Sequence, residues 1–171
     1  MATREPILSA KDVEVQFTLR GQKLTALRGT SLDVYPGETI AIVGESGSGK
    51  SVFAKCFVGM LDKNGKITNG SIMFRGKDLT KFKTEKEWLQ VRGKRIAMVM
   101  QDPLTSLNPL RTIGPQIQEA IELHQEIKGN EAREEVIRLL DVVGIKNPAG
   151  RFSQYPHEFS GGMRQRVVIA M

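Results

Sequence analysis

Hydrophobic and polar positions divide the chain into two halves of different character. Val13, Val15 and Phe17 alternate with polar residues, the period-two pattern of a half-buried strand. Gly21 marks a turn, and Leu32 and Val34 alternate again before a Pro36-Gly37 turn. Residues 39–43 form a short β-branched run that predicts a fully buried strand, and a helical stretch through Met60 follows the glycine-rich segment beyond it. Asn64-Gly65 and Asn69-Gly70 predict turns flanking a strand over residues 71–74. Thr84, with Glu87 three residues on, has the spacing of a capping box and predicts a helix to about Arg92. A second buried strand is predicted over residues 96–100, ending at Gln101-Asp102-Pro103. Beyond it the period becomes helical. Residues 115–125 place Ile117, Ala120, Ile121 and His124 on one face; residues 130–143 do the same for Val136, Ile137, Leu140 and Val143. Asn130 is the expected N-cap of the second helix, and Gly144 its expected C′ glycine.

Composition narrows the class without choosing a function. The 171 residues are 40% hydrophobic and 26% charged, an ordinary globular balance for one domain. The apolar runs are too short to span a membrane, and the first ten residues lack the apolar core of a secretory signal. The single cysteine, Cys56, has no partner for an internal disulfide, which fits a reducing compartment. Formal net charge is +6, with the charges clustered between Arg75 and Arg95 and interleaved with Asp78, Glu85 and Glu87. The charge admits a nucleic-acid or anionic-membrane partner, but a solvated basic face is preferred to a nucleic-acid site, because no RNP-like aromatic pattern or zinc-finger spacing accompanies the cluster. His157, His124 and Cys56 are read as a loop residue, a helix-face residue and a core thiol. Trp88 is read either as a packing anchor or as a membrane or partner contact. No His/Cys cluster suggests a protein-held metal.

The chemistry lies in Gly44-Glu45-Ser46-Gly47-Ser48-Gly49-Lys50-Ser51, which matches G-x-x-x-x-G-K-[ST] at every fixed position. Glycines at these places let successive backbone N–H groups point inward as an anion nest, and the following helix adds its positive N-terminal end. Lys50 is placed to reach β- and γ-phosphates, and the Ser51 hydroxyl to ligate Mg²⁺. The β-branched run before the motif and the helical pattern after it are the context a phosphate loop requires.

Three further places narrow the type of phosphate-loop protein. Gln101 directly follows the run 96–100. Phe159-Ser160-Gly161-Gly162-Met163-Arg164-Gln165-Arg166 has a serine N-cap and two glycines that leave backbone N–H groups open to an anion. Phe17 lies upstream of Gly37-Glu38. With these residues and the P-loop, the chain resembles the nucleotide-binding subunits of ABC transporters. The segments 101–109 and 155–166, with the P-loop and Val52, look like the oligopeptide/dipeptide importer branch, and the likeness runs from about Ile7 to the end. Relatives in that branch also carry nickel, sugars or other small solutes.

The resemblance implies roles. Gln101 would be the Q-loop glutamine that coordinates Mg²⁺ or positions water, in a loop facing a transmembrane partner. Ser160, Gly161, Gly162 and Met163 would form a signature like L-S-G-G-Q-x-Q-R, binding the γ-phosphate held by the opposite subunit's P-loop. Phe159 and Met163 depart from that pattern, but the Ser-Gly-Gly centre is intact. Phe17 would stack on adenine, although its alternating pattern equally suits a core strand residue.

The implied fold is α/β, a P-loop NTPase of ABC type. It combines a RecA-like core with an antiparallel β subdomain, over about 1–103, with a helical subdomain over about 104–158 and a signature helix from 159 to 171. Implied cofactors are ATP and Mg²⁺. Implied partners are a second ABC ATPase subunit, transmembrane permease subunits and, indirectly, an extracytoplasmic substrate-binding protein, with no nucleic acid. The implied place is the cytoplasmic face of the plasma membrane. In such subunits the Walker B aspartate, catalytic glutamate and switch histidine lie further on than Met171. The chain is therefore expected to be the N-terminal part of a longer one, with weak nucleotide binding, negligible turnover and poor solubility on its own. Two rivals are a nucleic-acid ATPase, disfavoured by the absence of heptads or a Cys pair, and a non-hydrolytic binding module.

Overall fold

Arg20 and Gly21 both adopt positive φ, 49° and 81°, so the chain reverses in a two-residue turn whose twist suits a hairpin. That turn joins β1 (Leu8–Leu19) to β2 (Gln22–Val34). The computed structural model describes residues 5–100 and 106–171. In it β1 also pairs antiparallel with β3 (Gly65–Phe74), and β3 with the short β4 (Lys77–Asp78), giving a four-stranded sheet of order β2-β1-β3-β4. Alternation along β1 sends Val13 and Val15 into complete burial beside Ile72 of β3. Each such side chain contributes about 1.5–3 kcal/mol. Phe53 and Cys56 of helix α1 (Lys50–Cys56) join the same core, with Leu27, Phe74, Leu79 and Val91.

Asn69-Gly70 is not the predicted turn. It lies within β3 at a bulge, where pairing with β1 breaks between Lys11 and Glu14 and Asp12 takes φ 48°. Gly70 is at φ 88°, and a methyl group there would sit 2.4 Å from the carbonyl oxygens of Lys11 and Asp12, so backbone proximity explains this glycine. Pro36-Gly37 does form its turn, closed by the Glu38 N–H on the Tyr35 carbonyl at 3.1 Å.

The two strands predicted as buried are not formed. Residues 39–43 have no strand partner among the described residues, with Ile42 44% and Val43 87% exposed. Residues 96–100 have only the single parallel bridge Arg92–Ile96, and Val99 is 46% exposed. A β-branched run becomes a strand only beside a hydrogen-bonding neighbour, and β1–β4 provide none for either segment. The helix after the P-loop ends at Cys56 rather than Met60, because Gly59 turns the chain at φ 62°. Helix α2 (Glu85–Trp88) has the predicted capping box: Thr84 accepts from the Glu87 N–H, and the Glu87 carboxylate from the Thr84 N–H.

The chain divides into two compact units, Met1–Ala97 and Met98–Met171. The second is helical: α3 (Ile113–His124), α4 (Asn130–Val142), α5 (Pro148–Arg151) and α6 (Gly161–Ala170). Ile113, Ile117 and Ile121 of α3 meet Ala132, Val136 and Leu140 of α4 in one core with Phe152, Phe159 and Val167. His124 does not share that face; it is exposed in the last turn of α3. The N-cap of α4 is Gly129 rather than Asn130, which is the first helical residue. Gly144 ends α4 as expected, at φ 75° with its N–H on the Asp141 carbonyl at 2.8 Å. Buried Gln116 ties residues 108–112 to α3. Its carbonyl accepts from the Asn108 N–H at 2.8 Å, and its amide donates to the carbonyls of Asn108 and Arg111.

Candidate functional site

The P-loop is shaped by residues that permit little else. Gly47 takes φ 81° and Gly49 φ 94°, conformations that strain a residue bearing a Cβ. Gly49 is also pressed against β2, where a methyl group would lie 2.7 Å from Leu27 Cδ2 and 3.0 Å from the Ala26 carbonyl oxygen. Gly49 is the N-cap of α1, and Lys50 and Ser51 are its first helical residues, so their N–H groups have no acceptor within the helix. The Lys50 ammonium folds back across the loop, donating to the carbonyls of Gly44 at 2.8 Å and Glu45 at 2.6 Å and to Ser48 Oγ at 3.4 Å. Gly44 to Ser48 and Ser51 are exposed. This arrangement can take an anion: a cation sits inside a glycine-bent loop at the positive end of a helix. The exposed Ser51 hydroxyl, next to Lys50, suits a single Mg²⁺ ligand. Among the described residues no group of three or more His, Cys, Asp or Glu could hold a metal ion.

Behind α1 stands a brace that the sequence signals only through the capping box and the lone tryptophan. The Trp88 ring lies so close to Gly59 that a methyl there would be 2.4 Å from it, and Phe82 meets Trp88 edge-on at 5.2 Å. Arg92 donates to the carbonyls of Val58 at 3.0 Å and Gly59 at 3.3 Å, and pairs with Glu85 at 2.6 Å. Trp88 is therefore a packing anchor in this structure. Cys56 is buried in the same unit and its Sγ donates to the Val52 carbonyl. Burial pushes its thiol up to about 11, which removes it as a nucleophile near neutral pH.

Phe17 is half-buried on β1, its ring against Gly65 of β3, where an added methyl would lie 2.4 Å away. Gln101 lies outside the described residues. The signature segment belongs to the second unit. Ser160 is the N-cap of α6 and its Oγ accepts from the Met163 N–H at 3.4 Å. Phe159 is buried in the helical core under the Arg151 guanidinium, and Arg164 ties α6 back to the Pro156 carbonyl at 2.7 Å. Gly161 and Gly162 are exposed at the start of α6, and methyl groups on them would meet nothing within 4 Å among the described residues. Met163 is half-buried against the core. His157 lies exposed in the short 3₁₀ turn Pro156–Glu158 before the helix and stacks on Tyr155 at 5.5 Å.

The chain is 53% identical over 165 residues to the oligopeptide transport ATP-binding protein AmiE of Streptococcus pneumoniae, covering 96% of this chain and 46% of that protein. It is 49% identical over 168 residues to the dipeptide transport ATP-binding protein DppD of Bacillus subtilis, covering 98% of this chain and 50% of that one. It is 48% identical over 166 residues to the oligopeptide transport ATP-binding protein OppD of Bacillus subtilis, covering 96% and 46%. The chain thus spans about half the length of the curated relatives it matches. Among solved structures, the ATP-binding cassette MJ0796, in a dimeric post-hydrolysis state bound to ADP and Pi, superposes with a TM-score of 0.83. It is 24% identical, over 95% of this chain and 67% of that one, and shows the fold. A second dimeric structure of MJ0796, a bacterial ABC transporter cassette, gives 0.81 at 25% identity, again over 95% and 67%. The ABC transporter family model matches residues 27–171, a stretch that holds both the P-loop and the Ser160 helix, and the chain belongs to that family.

Proposed function

We propose that the chain is the nucleotide-binding part of an ATPase subunit that powers peptide uptake through an ABC importer. The observation that carries this reading is the P-loop, with Lys50 Nζ 2.6–2.8 Å from the carbonyls of Gly44 and Glu45 inside a loop bent by Gly47 and Gly49. In the reading, Lys50 exchanges those carbonyls for β- and γ-phosphate oxygens, and the N–H groups opening α1 share the charge. Ser51 and Gln101 would hold Mg²⁺, which supplies further neutralisation of the phosphates when bound. Phe17 would leave its packing on Gly65 partly engaged and offer its other face to adenine. Ser160, Gly161, Gly162 and Met163 would receive the γ-phosphate held by a second cassette, so ATP would join two subunits. The open space over Gly161 and Gly162 supports that role, because no described residue fills it.

Peptide as the transported class rests on relatives that are named oligopeptide and dipeptide transport ATP-binding proteins. On this reading the chain is peripheral at the cytoplasmic face, contacting permease subunits, with the subdomains divided near residues 103 and 158. Among the described residues no helix is long and apolar enough to cross a membrane. The test begins with retention on immobilised ATP, which Lys50→Ala should abolish. Co-purification with membrane permease subunits would then support the transport reading, and retention on DNA in their place would overturn it.

A further inference from the structure

The basic cluster between Arg75 and Arg95 is not used by the phosphate loop, and its side chains converge. Phe74, Arg75, Lys77, Gln90, Val91 and Arg95 line a cleft of about 200 Å³ in the first unit. Its floor is apolar, since Phe74 and Val91 are buried; its rim carries three exposed cations and the Gln90 amide. The rim is held by backbone geometry. Arg75 and Gly76, at φ 46° and 80°, make the two-residue turn between the paired residues Phe74 and Lys77, and the Arg75 N–H donates to the Ile7 carbonyl at 3.1 Å. Arg95 is fixed on the other side by its N–H on the Val91 carbonyl at 2.8 Å.

The three acidic residues in this stretch are all engaged elsewhere. Asp78 accepts from Thr80 and pairs with Lys81 at 3.3 Å; Glu85 pairs with Arg92; Glu87 closes the capping box on Lys83 and Thr84. Among the described residues, Arg75, Lys77 and Arg95 make no ion pair. Three like charges around one cleft repel each other, and an anion entering it relieves that repulsion while gaining charge-assisted hydrogen bonds. Two guanidinium forks and an ammonium suit a tetrahedral oxyanion of more than one charge, and the apolar floor suits an organic group beside it.

We infer that this cleft is a second anion site, separate from the P-loop, for a phosphate-bearing ligand held by Arg75, Lys77 and Arg95. Two sources share that chemistry: a soluble phosphate ester and the headgroup of an anionic phospholipid. The test uses the full 171-residue chain carrying Lys50→Ala, so that phosphate at the P-loop does not contribute. Inorganic phosphate is titrated while the backbone resonances of Arg75, Lys77 and Arg95 and the fluorescence of the single tryptophan, Trp88, are followed. In parallel, sedimentation is measured with phosphatidic acid vesicles against phosphatidylcholine vesicles.

A saturable phosphate response that Arg75→Gln/Arg95→Gln weakens about tenfold is expected for a soluble ester. Sedimentation with phosphatidic acid alone, lost in the same double variant, assigns the headgroup. Lys77→Gln is the second variant should the double one fail to fold, and Lys63→Gln, outside the cleft, is the control. The proposal is overturned by no response in either arm. It is equally overturned by a response that the cleft variants leave unchanged.

Discussion

At Gly49 an added methyl would lie 2.7 Å from Leu27, on a backbone at φ 94°, whereas at Gly161 and Gly162 it would meet nothing within 4 Å among the described residues. Both segments are glycine-rich and both open a helix, yet only the first needs glycine to fold. The P-loop is pressed against β2 on one side, and the segment after its helix is braced by Trp88 and Arg92 on the other. The Ser160 segment is held by its serine cap, the buried Phe159 and Arg164, and its two glycines face open space. A glycine that internal packing explains says little about a ligand. One that packing does not explain points outward, to something that approaches the backbone closely.

The contrast can be broken by substitution. Gly49→Ala combines a strained φ with a clash and should cost about 2–3 kcal/mol in urea unfolding, with loss of nucleotide binding. A variant as stable as the parent would show that the P-loop relaxes freely. Ser160→Ala removes one cap and should cost about 1 kcal/mol, read as a lower midpoint at unchanged slope. Gly161→Ala and Gly162→Ala should leave stability unchanged or raise it by up to about 0.5 kcal/mol. Their effect should appear only in ATP-dependent pairing of cassettes, measured by light scattering. A clear loss of stability in either would place the need for glycine inside the fold, as at Gly49.

The smallest effect concerns the brace. Hydrogen bonds from the Thr84 side chain, then from the Lys83 and Thr84 N–H groups, hold the Glu87 carboxyl below its ordinary value of 4.5. Its folded-state pKa is depressed, so its contribution is present above that ordinary value and is lost as pH falls through the folded one. Trp88 fluorescence should therefore change in acid below about pH 4.5 in the parent, and this step should be missing in Glu87→Gln. An identical acid transition in both would remove the capping box from the brace.

Local signals in the sequence were legible where the cause is local. The P-loop, the Arg20-Gly21 reversal, the Thr84-Glu87 box and the Ser160 cap depend on residues within one or two turns of each other, and all but the P-loop's ligand are visible in the backbone. Errors arose where distant partners decide. Residues 39–43 have strand chemistry but no neighbour, and Val43 is left exposed. Asn69-Gly70 has turn chemistry, but β1 runs opposite it, so the same dipeptide became a bulge. His124 follows the helical period of Ile117 and Ile121, yet the core ends one turn earlier. The pressure of Leu27 on Gly49 and that of Trp88 on Gly59 link residues far apart in sequence, which no spacing rule reads.

On the proposed function, the P-loop holds the phosphates of the nucleotide that its own chain binds, while the Ser160 segment acts on the nucleotide of another. Calorimetric titration of Mg·ATP into the chain at low protein concentration tests it most directly, comparing the parent with Lys50→Ala and with Gly161→Ala/Gly162→Ala. Lys50→Ala should weaken binding by about 10–100-fold, the worth of charge-assisted hydrogen bonds, and the glycine double variant should bind as the parent does. Equal binding in Lys50→Ala, or an equal loss in the glycine variant, would contradict it.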